Sequence, residues 1–224
     1  MRLAPTSLIF LALVQSVSIA CFQTSQSVRE IILDYNKNAA VKDATYGISV
    51  ENKVKAMGTA GVYQLVDLTK SDKDDSVVAT AILFLKPYYS EAAFSAVLTK
   101  CRAKNRSVVG SAYSTLAWWQ KGGVNPSDAE EARNLAERSL CSGNEDNFYS
   151  IAHFLGVAKN KESVPFLEQA LNLKISMTAR VAICEALLAI DSESAKSVLL
   201  SQRKLFIEAH EFSTVRSIDK AFSK

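Results

Sequence analysis

The sequence predicts an all-α protein, and three observations carry that prediction. Apolar residues return at steps of three and four through most of the chain beyond residue 20, the period of a helix with one buried face. Glycine and proline, eight and four in 224 residues, are confined to a few breaks, too few for the tight turns of an all-β fold. The composition leans on Ala, Leu, Lys, Glu and Ser, which suit helices. With 48% hydrophobic and 22% charged residues, the chain can bury a sizeable core, and one folded domain is expected.

The first twenty residues predict export. One cation, Arg2, precedes an apolar stretch from Leu8 to Val14, and the small, mostly apolar run from Ser16 to Ala20 then leads to Cys21. That is the layout of a secretory signal peptide. The apolar stretch is about half the ~20 residues needed to span a bilayer, and no later segment approaches that length. The run from Val17 to Cys21 resembles the lipobox of bacterial lipoproteins, with Ser18 where Leu is usual. The resemblance implies that Cys21 becomes a diacylated first residue, bearing acyl chains such as palmitate, and that the protein attaches to the membrane through this lipid anchor at the periplasmic face of the cell envelope. Ser18 and Ala20 equally suit ordinary signal peptidase, which would leave a secreted or periplasmic soluble protein. The polar segment from Phe22 to Ser27 reads as a tether and favours the lipid. The expected organisation is a signal peptide over 1–20, a tether and short helix over 21–35, and a helical repeat domain over 36–224.

Helix starts and stops follow in order. Ser27 with Glu30 has capping-box spacing, in which hydroxyl and carboxylate satisfy exposed backbone donors reciprocally. From Asn36 to Lys70 one helical pattern runs through Val54, Met57, Leu65 and Leu68, interrupted by Gly58 and Gly61, as in a capping or poorly ordered repeat. The acidic turn from Ser71 to Ser76 lacks the central Gly and the bidentate Glu of a calcium loop, so Asp74 or Asp75 is read as a helix cap. Helices then open at Ser76-Val77-Val78-Ala79 and Ser107-Val108-Val109-Gly110, the loop from Gly122 to Pro126 intervenes, and Ser127 with Glu130 again has capping-box spacing. One column holds Ala81, Ala112, Ala152 and Cys184. Val78, Val109, Tyr149 and Val181 stand three residues before it, and Leu85, Leu116, Gly156 and Leu188 four after. The periods are those of two-helix repeats, and a small residue in each helix lets neighbours approach closely.

This pattern predicts an α-solenoid of about four to five degenerate helix pairs, and its C-terminal half resembles the HEAT repeat family. Val164 to Leu171, with Pro165 in the opening turn where no N–H is lost, looks like the first helix of such a repeat, and Thr178 to Leu187 like the second. Members of that family often carry an Asp in the inter-helix turn and an Arg in the second helix. Here Arg180 fits and Lys174 stands where the Asp would be. A tetratricopeptide-like reading, resting on Ala129, Ala132 and Ala136 followed by Leu155-Gly156, leads to the same architecture.

Functional signals are sparser. A net charge of +3 with no run of five or more like charges argues against a nucleic-acid partner. The chain has two histidines. His153, one place after the small-residue column, is read as a packing residue first and as the suspect site of an unfamiliar enzyme second. His210, between Glu208 and Glu211, lacks the spacing of a metal-binding helix and reads as solvated surface. No cysteine pair has zinc-site spacing, and no phosphate loop or nucleophile elbow is present, so neither metal nor other cofactor nor catalytic residue is expected. Cys184 reads as a buried apolar group, while Cys101 and Cys141, at two helix ends, could form a disulfide in an oxidising compartment. Asn105-Arg106-Ser107 is an acceptor sequon should the protein instead be a secreted eukaryotic one. Tyr88, Tyr89, Trp118 and Trp119 form the candidate binding set, with Tyr88 and Trp119 in the same column of consecutive repeats and expected side by side at the surface. Adjacent aromatics at two helix exits cannot all point inward, so part of the set is expected at the surface, unless it covers the gap at the Gly122-Gly123 loop. A non-enzymatic protein that holds a protein or peptide partner is the leading expectation.

Overall fold

The structure is a computed structural model and describes residues 26–38, 44–142 and 145–222. The signal peptide and Cys21 lie outside the described residues. Twelve α-helices and no strand occur among them. The helices are α1 (Val28–Asn38), α2 (Ala44–Ala56), α3 (Gly58–Ser71), α4 (Asp75–Phe84), α5 (Glu91–Lys100), α6 (Arg106–Gly122), α7 (Pro126–Cys141), α8 (Phe148–Ala158), α9 (Val164–Leu171), α10 (Met177–Ile190), α11 (Glu193–Glu208) and α12 (Phe212–Phe222). The all-α expectation holds. The expected boundary after residue 35 falls inside α1, which buries Val28 and Ile32 and packs on α3 and α4.

Short polar side chains start these helices. The reciprocal box at Ser27 forms: its N–H donates to Glu30 Oε2 at 2.8 Å, and Glu30 N–H donates to Ser27 Oγ at 3.3 Å. Asp74 caps α4 by accepting from Ser76 N–H at 2.9 Å, and Ser90, Asn105, Ser176 and Ser192 cap α5, α6, α10 and α11 in the same manner. The cap of α7 is Asn125, not Ser127. Pro126 follows it in the first turn, so the helix starts two residues earlier than the sequence spacing suggested. The single interrupted pattern from Asn36 to Lys70 resolves into α2 and α3, because the backbone turns to φ +58° at Gly58, where only a residue without Cβ is unstrained.

The helices pack in two rows. In one, α4, α6, α8 and α10 touch successively and α10 touches α12; in the other, α3 meets α5, α7 meets α9 and α9 meets α11. Each helix of one row also contacts its chain neighbour in the other. Ala81, Ala112, Ala152 and Cys184, one from each of α4, α6, α8 and α10, are all wholly buried. The flanking positions hold in the first half, where Val78, Val109, Leu85 and Leu116 are buried, and at Gly156 beyond it. Beyond the 122–126 loop the buried line slips by one residue, so Phe148 is buried and Tyr149 exposed, and Leu187 is buried while Leu188 lies half out.

Within this row α8 and α10 approach closely at Gly156. A Cβ added at Gly156 would stand 3.0 Å from Ala186 Cα and 3.3 Å from its Cβ. Polar side chains also reach across the row: Thr115 Oγ1 donates to Ile82 C=O at 3.0 Å, joining α6 to α4, and Thr80 Oγ1 donates to Asn36 Oδ1 at 2.7 Å, joining α4 to α1. A large side chain at either kind of seam must force two backbones apart. Gly156→Leu and Ala112→Leu are each expected to lower stability by ~1–3 kcal/mol, read as a drop in melting temperature with the helical circular dichroism retained; an unshifted melting curve for both would mean that the seam is loose.

Candidate binding surfaces

The four aromatics at the exits of α4 and α6 divide unequally. Trp119 is buried, which corrects its assignment as an exposed anchor. Its Nε1 donates to Lys86 C=O at 2.9 Å, and its ring packs edge-on against Tyr89 and tilted against Phe94, with centroids 5.6 and 6.5 Å away. Tyr88 lies past the end of α4, half-buried against the core, and does not sit beside Trp119 at the surface. Tyr89 is exposed on its ring, but its hydroxyl is engaged, donating to Asp128 Oδ2 at 2.7 Å and accepting from Asn125 N–H at 3.2 Å. Burial first, and that donation second, push its phenol above the ordinary tyrosine range. Trp118 alone of the pair of tryptophans faces solvent, 57% exposed, at the rim of a notch of about 210 Å³ between Lys86, Pro87 and the Gly122-Gly123 turn.

A further exposed aromatic, Tyr149, was not legible as one in the sequence. It lies on α8, 58% exposed, one residue after Phe148, which takes the buried position. His153 is exposed one turn further on, so its expected packing role is not what the structure shows. Tyr149, His153 and Val157 line a hollow of about 160 Å³ with Ala182, Glu185 and Ala189 of α10. The solvent face of this row continues on α6 with Ser111, Ser114 and Trp118 and on α10 with Val181 and Leu188. Between Ser107 and Gln120, and along the whole of α8, the sequence has no Asp, Glu, Lys or Arg.

The other row is charged and carries its own polar core. Glu137 of α7 is nearly fully buried, and Arg133 Nη1 at 3.0 Å and Ser163 Oγ at 2.7 Å both donate to its Oε1. Arg133 also pairs with Glu162 at 3.3 Å. This network ties α7 to the turn before α9; a buried carboxylate is tolerable only because both partners are in place. Arg180 does similar work between α9 and α11, donating to Leu171 C=O at 3.0 Å and to Gln202 Oε1 at 2.7 Å. The acidic turn at 71–76 is structural: besides the cap at Asp74, Asp72 Oδ2 accepts from Arg29 Nε at 2.7 Å. Asn105, the sequon residue, spends its Oδ1 on the N–H groups of Ser107 and Val108. Among the described residues no group of three His, Cys, Asp or Glu side chains could hold a metal ion, and no helix is long and apolar enough to cross a membrane.

The disulfide candidate does not form. Cys101, Cys141 and Cys184 are free thiols, with Cys101 Sγ directed to Val97 C=O of its own helix and Cys141 Sγ to Gln169 Oε1 at 3.3 Å. Burial pushes the Cys101 and Cys184 thiols up to about 12. Cys141 is half-buried and is raised by burial and then by Glu137. No known protein family, characterised protein or solved structure matches the chain.

Two outcomes follow for these residues. Trp119→Ala should cost ~3–5 kcal/mol, whereas Trp118→Ala should stay within about 0.5 kcal/mol; equal melting temperatures for the two variants would contradict the division between them. Of Cys101, Cys141 and Cys184, only Cys141 should be alkylated by iodoacetamide in the native protein at mildly alkaline pH, as read by mass spectrometry. Protection of Cys141 together with Cys101, lifted by a reductant, would restore the disulfide.

Proposed function

We propose that the chain is an exported helical-repeat protein, held at the cell envelope by lipid on Cys21, that binds a protein partner on the exposed face of α6, α8 and α10. The observation that carries the reading is the segregation of charge between the two rows. The α6–α8–α10 face offers Trp118, Tyr149, small hydroxyl side chains and aliphatic edges with one carboxylate, Glu185, while charged residues crowd the opposite row from α7 to α11. Interfaces are depleted of charge at their centres, and exposed rigid aromatics are their usual anchors.

The architecture proposed for this protein is an α-solenoid of HEAT-like helix pairs. The successive contacts along the row from α4 to α12 and the two-way bridging by Arg180, the residue that the HEAT resemblance singled out, support it. In such stacks each pair buries its apolar faces only against its neighbours, which leaves a long continuous surface for a partner. Binding is favoured over catalysis because the hollow at His153, about 160 Å³, is smaller than the ~300–1,000 Å³ of typical substrate pockets.

Trp118→Ala combined with Tyr149→Ala should weaken capture of a partner from the source organism's envelope extract by more than about tenfold, with circular dichroism and melting unchanged. Undiminished capture would move the binding surface elsewhere. Cys21→Ser should leave an uncleaved precursor or a soluble protein; normal processing and unchanged detergent partitioning would remove the anchor from the proposal.

A further inference from the structure

The row formed by α3, α5, α7, α9 and α11 is interrupted once. Neighbours α3 and α5, α7 and α9, and α9 and α11 pack together, but α5 and α7 scarcely touch. The interruption falls where α6 runs on for 17 residues and the turn from Gly123 to Asn125 carries the chain away before α7 begins. A groove of about 360 Å³ opens between the two helices. Its floor is apolar, made by Phe94 and Leu98 of α5 and Leu135 of α7.

The charged side chains lining this groove are sorted by sign along its length. Glu91 near the start of α5, with Asp128 and Glu131 near the start of α7, stands at one end; Arg102, just past α5, and Arg138, near the end of α7, stand at the other. None of the five makes an ion pair among the described residues. Asp128 accepts the Tyr89 hydroxyl, and Arg138 Nε donates only to Asn134 C=O of its own helix, at 3.1 Å. Acids at helix starts and bases at helix ends also suit the helix dipole. The dipole does not explain why both helices turn these groups onto one groove with an apolar floor between the two signs.

We infer that the groove between α5 and α7 is a docking slot for a short extended segment of a partner protein, basic at one end, acidic at the other and apolar between. The ten-residue interval from Asp128 to Arg138 spans roughly 15 Å of helix, the reach of about four or five residues of extended chain. A Lys or Arg of the segment meets Glu91, Asp128 and Glu131, its acidic residue meets Arg102 and Arg138, and its apolar middle covers Phe94, Leu98 and Leu135. The slot lies on the opposite row from the uncharged face, so each can fail without the other.

The test is fluorescence anisotropy of the purified chain with dye-labelled, end-blocked peptides: the dipolar Lys-Leu-Ala-Leu-Glu, and the single-sign Lys-Leu-Ala-Leu-Lys and Glu-Leu-Ala-Leu-Glu. The dipolar peptide should bind about tenfold more tightly than either single-sign peptide, and added salt should narrow the difference. Arg102→Glu with Arg138→Glu should transfer the preference to the peptide with Lys at both ends; Glu131→Lys, a single change at an exposed position, should shift it toward the peptide with Glu at both ends. Equal binding of the three peptides, absence of binding below about 1 mM, or a preference unmoved by the charge reversals would overturn the slot. Lowered melting temperatures with that preference unmoved would assign the five charges to the helix dipoles alone.

Discussion

Everything in this chain hangs on how closely α4, α6, α8 and α10 can approach one another. An α-helix cannot bury its backbone against another helix unless the side chains at the crossing are small or interlock. The buried Ala81, Ala112, Ala152 and Cys184 meet that condition once in each helix, and Gly156 against Ala186 meets it again between α8 and α10. Close seams bring backbone carbonyls within reach of neighbouring side chains, which is why Thr115 and Trp119 of α6 can both donate to carbonyls of the segment before it, at Ile82 and Lys86. Those two bonds are each 33 residues apart in sequence, so they fix the rotation of α6 against α4. That rotation decides which aromatic is core and which is surface.

The same seam explains what sequence could and could not show. The small-residue column was legible because it needs only residue type and spacing, and the caps at Ser27 and Asp74 because they are local. The aromatic pairing was not. Aligning Tyr88 with Trp119 assumed that α4 and α6 are equally long, but Pro87 disfavours helix just ahead of it, and α4 stops at Phe84 while α6 continues through Trp119 to Gly122. Tyr88 therefore sits in a turn and its supposed counterpart sits in a helix. Tyr149 was hidden by the opposite error: the buried line moves by one residue after the long loop, and Phe148 takes the place that the alignment gave to Tyr149. Arg133 and Glu137 have the i,i+4 spacing of a pair on one helix, but the burial of that pair under Ser163 was out of reach, since Ser163 arrives only when the chain before α9 folds back on α7.

The two rows divide the labour between them. The row with small seams holds most of the large buried side chains and exposes a face almost without charge. The other row is tied by hydrogen bonds and ion pairs, at Glu137 and at Arg180, which fix position at a desolvation cost that apolar packing does not carry. Connections are short, and each helix of the first row packs on the helix that precedes it in the chain, which keeps the two rows in order.

The opening between α5 and α7 also bears on the mechanics of the molecule. A strip that is continuous along one edge and cut at one point along the other behaves as a leaf spring with a notch. Bending that closes or widens the notch would work against the contacts of α6 with α4, α5 and α8, whereas bending elsewhere would also work against packed contacts of the second row. Bending at α6 would therefore meet the least resistance, with the segments before and after it acting as stiffer arms. Trp118 stands on the continuous edge at that point, so a load that bent the strip there would reach an exposed indole before the buried one of Trp119 beside it.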